Sequence, residues 1–178
     1  IDSILRGYEL EQHMLELRLE PVNPQLIMEQ VAHELMPHAR KQAQLIAVKS
    51  FRHRQTVLAD KGCLHAVLFN LLDNAIKYSD AEATIEVETR LRHGNAQLVV
   101  KDFGQGIKKN DLKKLFSQFG RVQRPVPQWA TTTGLGHYVA KQRTEAMNGK
   151  LELTRRKDGS SFLVNLQLSK QLSLFDVV

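Results

Sequence analysis

The clearest periodicity in the chain lies between Lys61 and Tyr78, where Leu64, Val67, Leu68, Leu71, Leu72, Ala75 and Ile76 recur at steps of three and four. That spacing predicts a helix from Asp60 or Lys61 to about Tyr78, with one unbroken apolar stripe. A second amphipathic helix is expected upstream. Asn23 can cap it, Pro24 suits its first position, and Ile27, Val31, Leu35 and Ala39 share one side of it up to about Ala43. Pro37 should interrupt or kink it. Residues 1 to about 20, with Leu5, Leu10, Met14, Leu15 and Leu17 among polar residues, also read as helical. The prolines within Glu20–Pro24 close that segment.

Strand signals fill the gaps between helices. Leu45–Lys49 and Gln55–Leu58 are short candidates. Ala83–Leu91 and Gln97–Lys101 alternate clearly on either side of His93-Gly94-Asn95. A last pair, Lys150–Arg156 and Ser161–Leu168, flanks the turn Lys157-Asp158-Gly159-Ser160. Between these pairs, Asp102–Gly136 holds five of the ten glycines, a short helical stretch from Lys109 to Phe119, and then Pro125 and Pro127. Helix resumes from about Leu135 to Met147 and ends at Asn148-Gly149. Helices on one face of a mostly antiparallel sheet is the packing this order favours, an α/β arrangement. No internal repeat is visible.

Composition narrows the class. With 178 residues, 42% apolar and 25% charged, the chain should build a core as one domain, or as a domain with a helical lead-in. No run of eighteen apolar residues exists to span a membrane. The opening Ile-Asp-Ser-Ile-Leu-Arg does not read as a signal peptide, and its lack of Met suggests a fragment. Cys63, the only cysteine, excludes an internal disulfide or a cysteine-built metal site and fits a reducing compartment. Within an apolar run it reads as a core or half-buried residue. A net charge of +6 invites a nucleic-acid or acidic-membrane reading, against that of a mildly basic solvated surface.

Three segments carry candidate chemistry. On the helix 61–78, Asn70, Asn74 and Lys77 share a face, with Asp73 and Tyr78 beside it. Two carboxamides one turn apart favour helix poorly. They offer carbonyl oxygens to Mg²⁺ or its waters and amide hydrogens to phosphate, and the lysine adds charge; the bland alternative is a solvent face. Next, Asp102-Phe103-Gly104-Gln105-Gly106-Ile107 ends a strand, and its alternate glycines permit close approach to a flat ligand. Last, Thr131-Thr132-Thr133-Gly134-Leu135-Gly136-His137 opens a helix whose first N–H groups can hold phosphate.

Together the three resemble the nucleotide-binding domain of sensor histidine kinases, in the superfamily that includes the Hsp90-like, type II topoisomerase and MutL-like ATPases. Residues 70–79, Asn-Leu-Leu-Asp-Asn-Ala-Ile-Lys-Tyr-Ser, look like the N box. Asp102–Ile107 resembles the G1 box, Phe116 and Phe119 the F box, and Gly134-Leu135-Gly136 the G2 box. The resemblance implies the Bergerat ATP-binding fold, a two-layer α/β sandwich of a mixed, mostly antiparallel sheet with helices on one face. It implies ATP and Mg²⁺ as ligands, with catalytic roles for Asn70, Asn74 and Lys77. Asn74 would bind the metal, with Asn70 near it. Lys77 and Tyr78 would contact phosphate and ribose, and Asp102 would pair with the adenine amine. Gly104, Gly106, Ile107 and Phe116 would line the pocket. Thr133, Gly134, Leu135, Gly136 and His137 would lie along the phosphates, and Ser161 near the base.

The same resemblance divides the chain into the end of a dimerisation or linker helix (1–19), the catalytic domain (20–168, with a lid at 107–133) and a tail (169–178). Its implied partners are a dimerisation and phosphoacceptor hairpin, a response-regulator receiver domain and a second copy, on the cytoplasmic side of an inner membrane to which the longer protein could be anchored. His33-Glu34-Leu35-Met36-Pro37 looks like a phosphoacceptor motif but lies too close before Asn70, so the acceptor is expected upstream of Ile1. His137 stands where relatives usually have leucine, and Arg143 and Thr144 where they are often apolar. Asn70 replaces the glutamate that would activate water in the ATP-hydrolysing branches, which disfavours hydrolysis as the main reaction. A catalytically weak protein-interaction module and a basic nucleic-acid binder are the other readings. The second is disfavoured by aromatics at 6% and by the charge, since 107–133 holds six basic residues and one acid, nearly all of the net +6.

Overall fold

Residues 17–49, 55–117 and 134–169 are described by a computed structural model, and they place the buried stripe of the second long helix at its centre. In chain order the elements are β1 (Glu20–Val22), α1 (Pro24–Arg40), β2 (Leu45–Lys49), β3 (Val57–Ala59), α2 (Lys61–Tyr78), β4 (Thr84–Arg92) and β5 (Asn95–Asp102). After a 3-10 turn (Lys109–Asp111) come α3 (Leu112–Leu115), α4 (Gly136–Ala146), β6 (Lys150–Arg156) and β7 (Gly159–Gln167). The main sheet runs β2-β4-β5-β7-β6, parallel only between β2 and β4. β1 and β3 form a separate antiparallel pair, and Val57 bridges to Leu168 at the end of the main sheet.

Residue alternation gives this sheet two unlike faces. Ile85, Val87, Leu98, Val100, Phe162 and Val164 join one core with the stripes of α1 and α2 and with Ala140 of α4. The other face is polar. There Glu86 lies 2.9 Å from Lys101 and 3.0 Å from Lys49, and Gln97 links Arg90 to Asn165. The architecture is the expected mostly antiparallel sheet with its helical layer. Among the described residues no helix is long and apolar enough to cross a membrane.

Both long helices start as their caps require. Asn23 Oδ1 accepts from the backbone N–H of Gln25 at 3.0 Å, and Asp60 Oδ1 from that of Cys63 at 2.8 Å. The second oxygen of Asp60 accepts from the N–H of Arg18 at 3.1 Å, which ties the entering chain to the start of α2. Cys63 is half-buried against α4, with its thiol 3.8 Å from the Arg143 carbonyl, and burial pushes it up to about 11. Thr144, though polar, is wholly buried. Its hydroxyl donates to the Ala140 carbonyl at 2.7 Å, so the polarity is absorbed within α4.

Several boundaries differ from expectation. Residues 17–19 are irregular and Glu20–Val22 is a strand, so no helix reaches position 20; residues 1–16 lie outside the described region. α1 continues through Pro37 to Arg40, because the carbonyl that the proline leaves without a partner is that of exposed His33, where water can serve it. The helix expected over Lys109–Phe119 is only a 3-10 turn and one helical turn, and residues 118–133, with Phe119 and Thr133, lie outside the described region.

The polar face yields a pH prediction. Hydrogen bonds from Lys101 and then Lys49 hold the Glu86 carboxyl below its ordinary range. A depressed carboxylate contributes stability above its unfolded-state pKa and loses it as pH falls through the folded value. In Lys101→Met, Glu86 should therefore titrate nearer the ordinary glutamate value when followed by carboxyl ¹³C NMR. An unmoved midpoint would contradict the pairing.

Candidate active site

α2 provides the floor. Leu64, Val67, Leu68, Leu71 and Leu72 are each 0% exposed, which fixes the rotation of the helix about its axis. Asn70, Asp73, Asn74 and Lys77 consequently fall on a half-buried flank. Lys77 is ion-paired with Asp73 one turn earlier, so its charge is held beside the flank.

The C-terminal end of α2 is secured by a residue that motif and periodicity reasoning missed. Gln44, buried in the connection from α1 to β2, directs Nε2 at three carbonyl oxygens: Ile76 at 3.1 Å, Ser79 at 3.2 Å and Asp80 at 3.1 Å. Two N–H donors are thereby shared among carbonyls at and just beyond the helix end, where intrahelical partners run out. Only the apolar neighbours of Gln44 in the sequence hint that a glutamine there must find a buried partner.

The end of β5 reaches the same junction. Ser79 forms an isolated bridge with Gly104, Phe103 N donates to Ser79 Oγ at 3.1 Å, and Asp80 N donates to Phe103 O at 3.1 Å. A Cβ on Gly104 would sit 1.9 Å from the Tyr78 carbonyl oxygen. The absent side chain of Gly104 thus faces Tyr78 backbone and not an open pocket, so this glycine serves helix–strand approach. Gly106 and Ile107 are buried just beyond it.

Asp102, the last residue of β5, is 2% exposed, and its Oδ1 accepts from the N–H of its cross-strand partner Ser160 at 3.0 Å. Ser160 Oγ is buried without a hydrogen-bond partner among the described residues. Ser161 pairs with Lys101 instead. Strand alternation turns it to the polar face, so it is Ser160 and not Ser161 that lies beside Asp102.

The third segment closes on α2. Gly134 has φ +72°, Leu135 is buried, and α4 begins at Gly136 after an N-cap residue, Leu135, whose side chain makes no cap hydrogen bond. A Cβ on Gly136 would lie 3.4 Å from Asn74 Nδ2. His137 Nε2 is also 3.4 Å from Asn74 Nδ2. The imidazole stacks on Phe162 (4.9 Å between centroids, 23° between planes) and meets Phe116 edge-on at 6.5 Å. Lys141 Nζ lies 5.9 Å from the Phe116 ring centre. The fold therefore brings together Asn74, Gly136, His137 and Phe116, with Tyr78, Gly104 and Asp102 along one adjoining edge.

A family model described as histidine kinase-, DNA gyrase B- and HSP90-like ATPase matches residues 59–170, which contain all of these groups. The chain belongs to that family. Among relatives of this ATPase domain, the sensor-like histidine kinase SenX3 of Mycolicibacterium smegmatis is 34% identical over 111 residues, 62% of this chain and 29% of the relative. The sensor protein GacS of Pseudomonas syringae pv. syringae is 31% identical over 96% of this chain and 19% of its own length. The chain thus spans less than a third of either relative. Solved structures share the fold. Full-length ShkA in complex with AMPPNP superposes with a TM-score of 0.77 at 24% identity, over 94% of this chain and 35% of that one. The catalytic domain of histidine kinase ThkA gives 0.75 at 20% identity, over 85% and 96%.

The donor set of this ATPase domain suits a nucleotide and a hard cation. Among the described residues no group of three His, Cys, Asp or Glu side chains could hold a metal alone. Asn70 and Asn74 provide neutral oxygens, which fit Mg²⁺ because that ion keeps several waters and takes phosphate oxygens. At the other end, the orphaned Ser160 hydroxyl beside the Asp102 carboxylate fits an amine or an ordered water.

Gln44→Ala should leave the buried Ile76 carbonyl and the half-buried Ser79 and Asp80 carbonyls without this donor and destabilise the domain by about 1–3 kcal/mol. Denaturant unfolding measures this directly. A loss near zero would mean that the α2–β5 junction is held otherwise.

Proposed function

We propose that this chain is the ATP-binding catalytic domain of a two-component sensor histidine kinase, delivering the γ-phosphate of ATP to a histidine outside the described residues and from there to a response-regulator aspartate. The observation that carries the reading is the meeting of Asn74 on α2 with the start of α4. That pairs an oxygen donor suited to a magnesium ion with backbone N–H groups suited to phosphate. Asp102, with Ser160, would receive the adenine amine and fix the purine end. Lys77, Tyr78, Gly134 and Thr133 would then lie along ribose and phosphates, and the basic 107–133 segment would close over them as a lid.

The chemistry follows from what the flank lacks. Asn70 is an amide, and the carboxylate on the flank, Asp73, is ion-paired with Lys77, so neither stands ready to strip a proton from water. Bound Mg²⁺, held by Asn74 with Asn70 near it, would supply charge neutralisation at the triphosphate. The chain's residues would hold the triphosphate in line and present its terminal phosphorus to an outside nucleophile, the new bond to phosphorus forming as the bond to the β,γ-bridging oxygen breaks and ADP leaves. A neutral imidazole already owns a lone pair, so positioning and charge neutralisation suffice without a general base. This reading assigns the partners as a phosphoacceptor hairpin, a second copy of the longer protein and a receiver domain, on the cytoplasmic side of a membrane. His33 lies exposed on α1, within the domain itself, which supports an acceptor located elsewhere.

Calorimetric titration tests the reading. The chain should bind Mg-ATP and hydrolyse it only very slowly, and Asn74→Ala should weaken binding by about tenfold or more, which is ~1.4 kcal/mol. Absence of binding heat would sink the kinase assignment. Unchanged affinity in the variant would sink the role of Asn74.

A further inference from the structure

We propose that His137 is a positioning residue for Asn74, its Nε2 accepting an amide hydrogen so that the Asn74 carbonyl oxygen is committed to the metal and phosphate side. This rests on the nucleotide-site reading above and adds how its metal-side oxygen is oriented. A carboxamide presents oxygen or nitrogen to one side by a simple rotation of near-equal shape, whereas a hard cation accepts only the oxygen. Something must choose between the two orientations. On this flank the neighbour of the Asn74 amide nitrogen is an imidazole nitrogen at 3.4 Å. With its proton on Nδ1, that ring offers Nε2 as an acceptor, which favours the NH₂ group there and turns the carbonyl away.

The imidazole is itself held in place. Phe162, 3% exposed on β7, stacks against it, and Phe116 closes its edge. Its plane is therefore set by the sheet and not by α4 alone. A leucine at this position would fill similar space against Phe162 but would offer no acceptor. The amide would then choose its orientation only when the cation arrives, and part of the binding energy would go into ordering it.

The test compares the chain with His137→Leu and His137→Gln, each checked by its melting curve. ATP affinity is measured by calorimetry with Mg²⁺ and with EDTA. The proposal expects the ratio of the two affinities to fall about fivefold in His137→Leu, the factor that one ordinary net hydrogen bond represents. His137→Gln, whose Oε1 can accept in place of Nε2, should keep most of the ratio. An unchanged ratio in His137→Leu overturns the proposal, as does an equal fall in both variants, which would assign the effect to packing. Long-range ¹H–¹⁵N spectra of the unaltered chain should show the Nδ1–H tautomer for His137. The Nε2–H tautomer overturns the proposal even if a variant fails to fold. No ATP binding by the unaltered chain overturns the nucleotide reading and this inference with it, whereas binding with an unchanged ratio overturns this inference alone.

Discussion

The junction at the C-terminal end of α2 is the constraint on which the site depends. A helix packed on a sheet by an oily stripe has its rotation fixed but can slide along its axis with little loss of contact. Here sliding is blocked. Tyr78 backbone lies against Gly104 so closely that no side chain fits between them, and Gln44 holds the carbonyls of Ile76, Ser79 and Asp80. Asn74, one turn before that end, and Asp102, two residues before Gly104, are therefore kept at a fixed separation. A pocket that must grip a base at one end and a triphosphate at the other needs that spacing before any ligand arrives.

Around this frame the chemistry is built from neutral donors and backbone dipoles more than from side-chain charge. Asn70 and Asn74 bring oxygens, α4 brings its first turn, and the charges on the flank itself, Lys77 and Asp73, are ion-paired one turn apart. On the proposed reading, such a flank would hold an anion while its carboxylate, Asp73, stays paired with Lys77. The excess positive charge sits in 107–133, where Lys108 and Lys114 are exposed among the described residues. An anionic ligand would be drawn electrostatically to this side of the domain.

Much of this was legible in the sequence because the signals were local. The stripe of α2, the Asn23 cap and the parity of β4 and β5 each follow from spacing that any observer can count. Gln44 was illegible, since its partners lie more than thirty residues away and no local pattern marks a glutamine as a helix-end donor. Ser160 and Ser161 were indistinguishable as types, and only the register against Asp102 and Lys101 tells which one turns toward the core. Glu20–Val22 reads as a proline-broken turn, and it becomes a strand only because β3 offers it an edge. Gly104 stands out in the sequence as a motif residue, yet what its missing side chain makes room for is the backbone of the neighbouring helix end.

Hydrogen exchange with and without Mg-ATP tests the account most directly, because it reports where the ligand orders the backbone without altering any residue. Protection should rise at the end of α2 around 74–80, at 102–107 and over the first turn of α4 at 134–140, and should be unchanged in the distant hairpin turn at 92–95. Protection confined to other segments, or none at saturating nucleotide, would contradict the claim that this junction frames a nucleotide site.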